Sequence, residues 1–199
     1  MVRPVLVQLL ERPAIRDFVL LYLSNKLSIE ESSFPRCRPP YLDKIEGFED
    51  CHWLLNSNKL NHGITRRTIE EAAFLYRLVR HMDRPSVVEL GRFRGGGTFL
   101  LAAAGAAHVL SLDNDELPGQ EDYVRELDEA LTHFGLGDRV ENVSGDAFTW
   151  PCDANAFDLV FCDFATDAEG GQRVVDHWWP AVKPGGYLLM GDGKDSPLE

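Results

Sequence analysis

The chain has 199 residues, and its 32 acidic against 20 basic side chains give a formal net charge of -12. That length supports one domain with a sizeable core. The summed negative field repels phosphate backbones and anionic bilayers, so neither a nucleic-acid nor a membrane partner is expected, although Arg66-Arg67 forms a local basic patch.

Four cysteines, Cys37, Cys51, Cys152 and Cys162, form no C-x-x-C pair. This argues against a disulfide framework or zinc site and for reduced thiols in a cytoplasmic protein. No basic-apolar-small cleavage pattern opens the sequence, and its longest apolar run, Phe18 to Leu23, is too short to span a bilayer.

In chain order, Val2 to Leu27 has helix-compatible apolar spacing interrupted by Pro13, and Ser28 to Gly47 carries Pro35, Pro39 and Pro40. Residues 1–50 are therefore expected to form a helical appendage and linker arm, set apart from a main domain over residues 51–199. The segment Cys51 to Gly63 is dense in amide, imidazole and indole groups; Asn58, Asn61 and His62 are substrate-contact candidates, or simply a polar loop. Thr68-x-x-Glu71 has the form of a capping box, and Ala72, Leu75, Tyr76 and Val79 continue it as an amphipathic helix.

The central stretch is Ser86-Val87-Val88-Glu89-Leu90-Gly91-Arg92-Phe93-Arg94-Gly95-Gly96-Gly97-Thr98, followed by an apolar run to Ala107. A buried strand closing on a glycine turn and then a helix is how a parallel sheet delivers a ligand loop to a helix N-terminus. It is not a dinucleotide fingerprint, because Phe93 stands where the second glycine is needed, nor a P-loop, because Gly97 rather than Lys precedes Thr98. What remains, E-x-G-x-x-x-G-x-G-T, resembles motif I of the class I S-adenosylmethionine (SAM) dependent methyltransferases.

His108 to Leu112 is the next strand, ending on Asp113, Asn114, Asp115 and Glu116. A carboxylate at a strand end about 20 residues past the glycines can accept two ribose hydroxyls. Asp113 is the first choice for that contact and Asp115 its competitor. Gln120 to Phe134 reads as a surface helix, Arg139 to Ser144 as the third strand, and Ala156 to Cys162 as the fourth, ending at Asp163. Ala168 to Trp179 is a helix, and Lys183-Pro184-Gly185-Gly186 turns into a last strand, Tyr187 to Met190, before Gly191-Asp192. Five strands alternating with helices predict an α/β, doubly wound parallel sheet.

The resemblance covers residues from about 52 to 193 and implies a Rossmann-like sheet of order 3-2-1-4-5, with SAM at the carboxyl ends of its strands. It implies a cofactor site built from Glu89, Gly91, Arg92, Gly95, Gly97, Thr98, Asp113 and Asp163, with Asp146 at the adenine and Ala147 or Phe148 as its wall. Asp163 and Asp192 end neighbouring strands as the candidate catalytic acids. In catechol-type and sugar O-methyltransferases, acids at these strand ends ligate a metal, so Mg2+ or another divalent cation is a candidate here. Gly193 departs from that pattern, as does the lack of a D-G-D-H run after Asp163, and Asp192 serves equally as a turn cap.

The activity implied is methyl transfer to a small hydroxylated acceptor, a sugar or natural-product intermediate. The rivals are an aminopropyl transferase on the same fold and a non-catalytic or truncated SAM-fold assembly protein. Family members continue past strand five with a helix and an antiparallel strand pair. Their absence here implies truncation, or an edge covered by the N-terminal arm or by a second subunit in a homo-oligomer.

Overall fold

The computed structural model describes Ile15, Val19 and residues 42–55, 64–65, 67–116, 120–164 and 166–191. Most of the expected appendage, the candidates Asn58, Asn61 and His62, and Asp192 lie outside the described residues. The boundary expected at residue 50 falls inside a 3-10 helix, Phe48–Leu54, whose Cys51, Trp53 and Leu54 are buried with the main core.

The capping box forms as read: Thr68 accepts the Glu71 N–H at 3.2 Å, and Glu71 accepts the Thr68 N–H at 2.8 Å. It opens α1, Ile69–His81. The succession is then β1 Ser86–Leu90, α2 Gly96–Ala103, β2 His108–Asp113, α3 Gln120–His133, β3 Val140–Ser144, β4 Phe157–Cys162, α4 Ala168–Trp178 and β5 Val182–Met190. All pairings are parallel and the order is β3-β2-β1-β4-β5, as the resemblance implied.

The sheet is buried on both sides, which is why its inner strands read as continuous apolar runs rather than alternating ones. Val87, Val109, Leu159 and Phe161 meet α1, α2 and α3, where Trp53 packs edge-on against Phe99 with ring centroids 4.8 Å apart. Val88, Leu90, Leu112 and Val160 meet α4, whose Trp178 is fully buried and donates its indole N–H to Ala147 O at 2.7 Å. The neighbouring indole behaves differently: Trp179 is 58% exposed.

Two expectations are corrected. No helix joins β3 to β4; residues 145–156 cross as turns, because Pro151, Asp153 and Asn155 interrupt any helical run. Lys183-Pro184-Gly185-Gly186 does not precede the last strand but lies inside it: Phe157 pairs with Val182 and Leu159 with Tyr187, so the run bulges out of β5. Gly185 at φ +81° provides the left-handed residue the bulge needs.

Candidate functional site

The turn after β1 is held from β2. Asp113 Oδ2 accepts the backbone N–H of Arg92 at 2.6 Å and of Phe93 at 3.1 Å, while Oδ1 accepts that of Asp115 at 2.8 Å. Gly91, at φ +91°, lets the chain leave β1 sharply, and an added Cβ would lie 3.1 Å from the Asp163 backbone and from Phe164 Cβ. Gly95, at φ +82°, is the N-cap of α2.

The expected cofactor residues thus divide by what they touch. The side chain of Arg92 is turned away from the turn and buried between strand tips, donating to Ser111 O at 2.9 Å and Val143 O at 3.3 Å and pairing with Asp115. Asp115, the competitor for the ribose, is therefore engaged by Arg92. Asp113 reaches the turn's backbone, and each of its oxygens already accepts at least one N–H.

Beneath the turn lies a buried polar cluster. Glu89 is fully buried, accepts the Thr98 hydroxyl, and Thr98 Oγ1 lies 2.8 Å from Ser111 Oγ. Gly97 is where α2 crosses this carboxylate, and a Cβ there would overlap Glu89 Oε1. Burial, aided by the nearby Asp163 charge, pushes the Glu89 carboxyl up to about 8, against the opposing pull of Arg67, Thr98 and Arg92.

Arg67, from the connector before α1, reaches across to these acids. Its Nη1 donates to Asp163 Oδ1 at 2.8 Å, Nη2 pairs with Asp163 Oδ2, and Nη2 stands 3.9 Å from Glu89 Oε1. The guanidinium carbon lies 4.4 Å over the Phe161 ring, and the Arg67 side chain is only 9% exposed. Burial raises the Asp163 carboxyl, with Arg67 opposing by its charge and hydrogen bonds. The residue that reads in sequence as half of a surface basic patch is thus an internal cation. A helical-wheel or strand-alternation pattern cannot reveal this, because residue 67 belongs to neither kind of element.

Beside Asp163 the surface opens into a hollow of about 390 Å³, lined by Phe148, Phe164, Thr166, Asp167, Gly170 and Arg173 among others. Phe148 and Phe164 meet edge-on at 5.6 Å, and the Arg173 guanidinium covers Phe148 at 4.1 Å. Asp146 closes its own turn, accepting the Phe148 N–H at 2.8 Å, and Ala147 presents its carbonyl to Trp178. Of the two candidate wall residues, Phe148 lines the hollow and Ala147 does not. His177 is packed, with Nε2 2.8 Å from Trp150 O.

Among the described residues no group of three His, Cys, Asp or Glu side chains could hold a metal ion. Asp163, the described member of the expected ligand pair, is instead held by Arg67. Among the described residues the donor set does not fit a divalent cation.

A family described as a methyltransferase domain matches residues 88–193, more than half of the chain. The chain belongs to that family. Its five parallel strands take the order that the resemblance implied. The sequence matches no curated protein.

Solved structures align with part of the chain. YjhP from E. coli aligns at 20% identity and a TM-score of 0.51, over 63% of this chain and 49% of that one. A SAM-dependent O-methyltransferase from Thermotoga maritima aligns at 20% and 0.48, over 61% of this chain and 43% of that one. Phosphoethanolamine N-methyltransferase 1 from Haemonchus contortus, in complex with phosphoethanolamine and S-adenosylhomocysteine, aligns at 22% and 0.49, over 65% and 28%. The chain accordingly spans half or less of the length of each.

Proposed function

We propose that this chain is the cofactor-binding core of a SAM-dependent methyltransferase whose acceptor is a small hydroxylated molecule such as a sugar or natural-product intermediate. The observation carrying the reading is the turn from Gly91 to Gly97, fastened by Asp113 above a buried Glu89, within the segment that matches the methyltransferase family. When bound, SAM supplies an electrophilic methyl group on a sulfonium.

The residues of the chain supply placement. The turn backbone and Glu89 flank the methionine portion, Phe148 and Phe164 offer aromatic walls for adenine, and Asp113 keeps the turn shaped for the ribose. Unsatisfied buried atoms at Glu89 Oε1 and at Arg67 Nε support the fit, because they leave an acceptor and a donor to be filled. Catalysis then rests on holding acceptor oxygen and methyl carbon in line. Asp163, whose proton affinity burial raises, takes the acceptor's proton. No step is assigned to a divalent ion, since the Asp163 carboxylate is already engaged by a guanidinium.

The same reading includes a homo-oligomer. Among the described residues β5 pairs only with β4, and it exposes Tyr187 and Met190. Incubation of the chain with methyl-labelled SAM and a panel of sugars and phenols tests the activity. Label on an acceptor oxygen supports the proposal; label confined to nitrogen or carbon acceptors overturns the acceptor class.

A further inference from the structure

We infer that Tyr123, in the first turn of α3, is a positioning residue for the Gly91–Gly97 turn, gripping it from α3 while Asp113 holds it from β2, so that the turn is already shaped for an adenosyl ligand. This rests on the SAM reading above and deepens it.

Three consecutive residues of the turn meet one stripe of α3. The Phe93 ring lies 6.1 Å from that of Tyr123, tilted by 55°. The Arg94 guanidinium stands 4.9 Å over the same Tyr123 ring and reaches Glu126 at 3.4 Å. A Cβ on Gly95 would meet Leu127 Cδ2 at 2.6 Å. Positions 123, 126 and 127 are three and four residues apart and so share a helix face. Two of the three contacts converge on Tyr123, which is half-buried, and both are made by its ring.

The backbone shows why the turn needs this grip. Gly91, Phe93 and Gly95 all have left-handed φ, at +91°, +50° and +82°, and the middle one is not a glycine. A bulky side chain is disfavoured in that region and persists there only where its surroundings over-determine it. Asp113 supplies one constraint by accepting the Arg92 and Phe93 N–H groups. The Phe93 ring against Tyr123 supplies the other. Without it the turn gains conformations that do not bind, and the apparent affinity for a ligand falls by the fraction of molecules so diverted.

Two measurements on the full chain test this: calorimetric affinity for S-adenosylhomocysteine, and backbone hydrogen exchange of residues 91–97 with and without that ligand. Tyr123→Ala is expected to weaken binding by about three- to tenfold, the factor that an aromatic pair and a cation–π contact carry between them. It should also speed exchange in residues 91–97 of the free chain, and saturating ligand should restore wild-type protection there. Tyr123→Phe, which keeps the ring, should match wild type in both. Phe93→Asn removes the other ring while keeping a residue that tolerates left-handed φ. Combined with Tyr123→Ala, it should weaken binding by less than the product of the two single effects. Unchanged affinity in Tyr123→Ala overturns the inference, as does a Tyr123→Phe variant that is equally impaired, or a double variant whose losses multiply. Faster exchange spread evenly through the sheet as well as the turn marks a general loss of stability and overturns it too. If the wild-type chain binds no S-adenosylhomocysteine, the SAM reading falls, and exchange of residues 91–97 in the free Tyr123→Ala chain still decides whether the grip exists.

Discussion

Asp113 Oδ2 lies 2.6 Å from the backbone nitrogen of Arg92, so the acid at the tip of β2 holds the turn that leaves β1. Three backbone N–H groups, from Arg92, Phe93 and Asp115, converge on this one carboxylate. Asp113→Ala strands them and should destabilise the chain by about 2 kcal/mol, read from urea unfolding followed by tryptophan fluorescence. It should also weaken binding of adenosyl ligands. A variant that loses ligand with unchanged unfolding would make Asp113 a ligand contact alone.

Gly97 faces Glu89 where α2 crosses β1, and an added methyl would overlap Oε1. Gly97→Ala is expected to cost about 1–3 kcal/mol through overpacking. In the Glu89→Ala background the same change should cost measurably less, because the atom it strikes is gone. Equal cost in both backgrounds would place the clash elsewhere.

Glu89 gives stability a pH dependence of definite sign. Burial lifts its carboxyl from the ordinary 4.5 to about 8, so the folded chain holds a proton that the unfolded chain releases across that interval. Its contribution therefore declines as pH rises through this window and levels off above it. Glu89→Gln, neutral throughout, should flatten that part of the profile, and its stability relative to wild type should rise across that same interval, from the ordinary 4.5 to about 8. Parallel curves for the two proteins would show that Glu89 is ionised in the fold at neutral pH.

The outer edge of β5 carries Tyr187 at 48% and Met190 at 40% exposure, with Trp179 nearby in sequence at 58%. An edge that is unpaired among the described residues and carries apolar side chains invites strand pairing between copies. Sedimentation should show a self-associated species for the wild type and a shift toward monomer for Tyr187→Lys. Identical sedimentation of the two would remove this edge from the interface.

The strands and the glycine turn were legible in sequence because both follow from local signals: buried apolar runs, a strand-end glycine, and carboxylates at fixed spacing; the strand order came only from the family resemblance. Phe148 could be narrowed only to a choice with Ala147, since which neighbour faces a hollow depends on how a turn folds. The Lys183–Gly186 run read as a turn because Pro and Gly punctuate chains, yet β4 and β5 absorb it as a bulge. Arg67 was the residue least available to sequence reasoning. Its partner Asp163 is 96 positions away, and nothing in the local sequence marks a basic side chain that turns inward.

The most direct test is calorimetric titration of the full chain with SAM, with and without magnesium and chelator. The account predicts a single site with a dissociation constant on the order of micromolar, unchanged by either addition. Absence of binding at concentrations on the order of millimolar would contradict it.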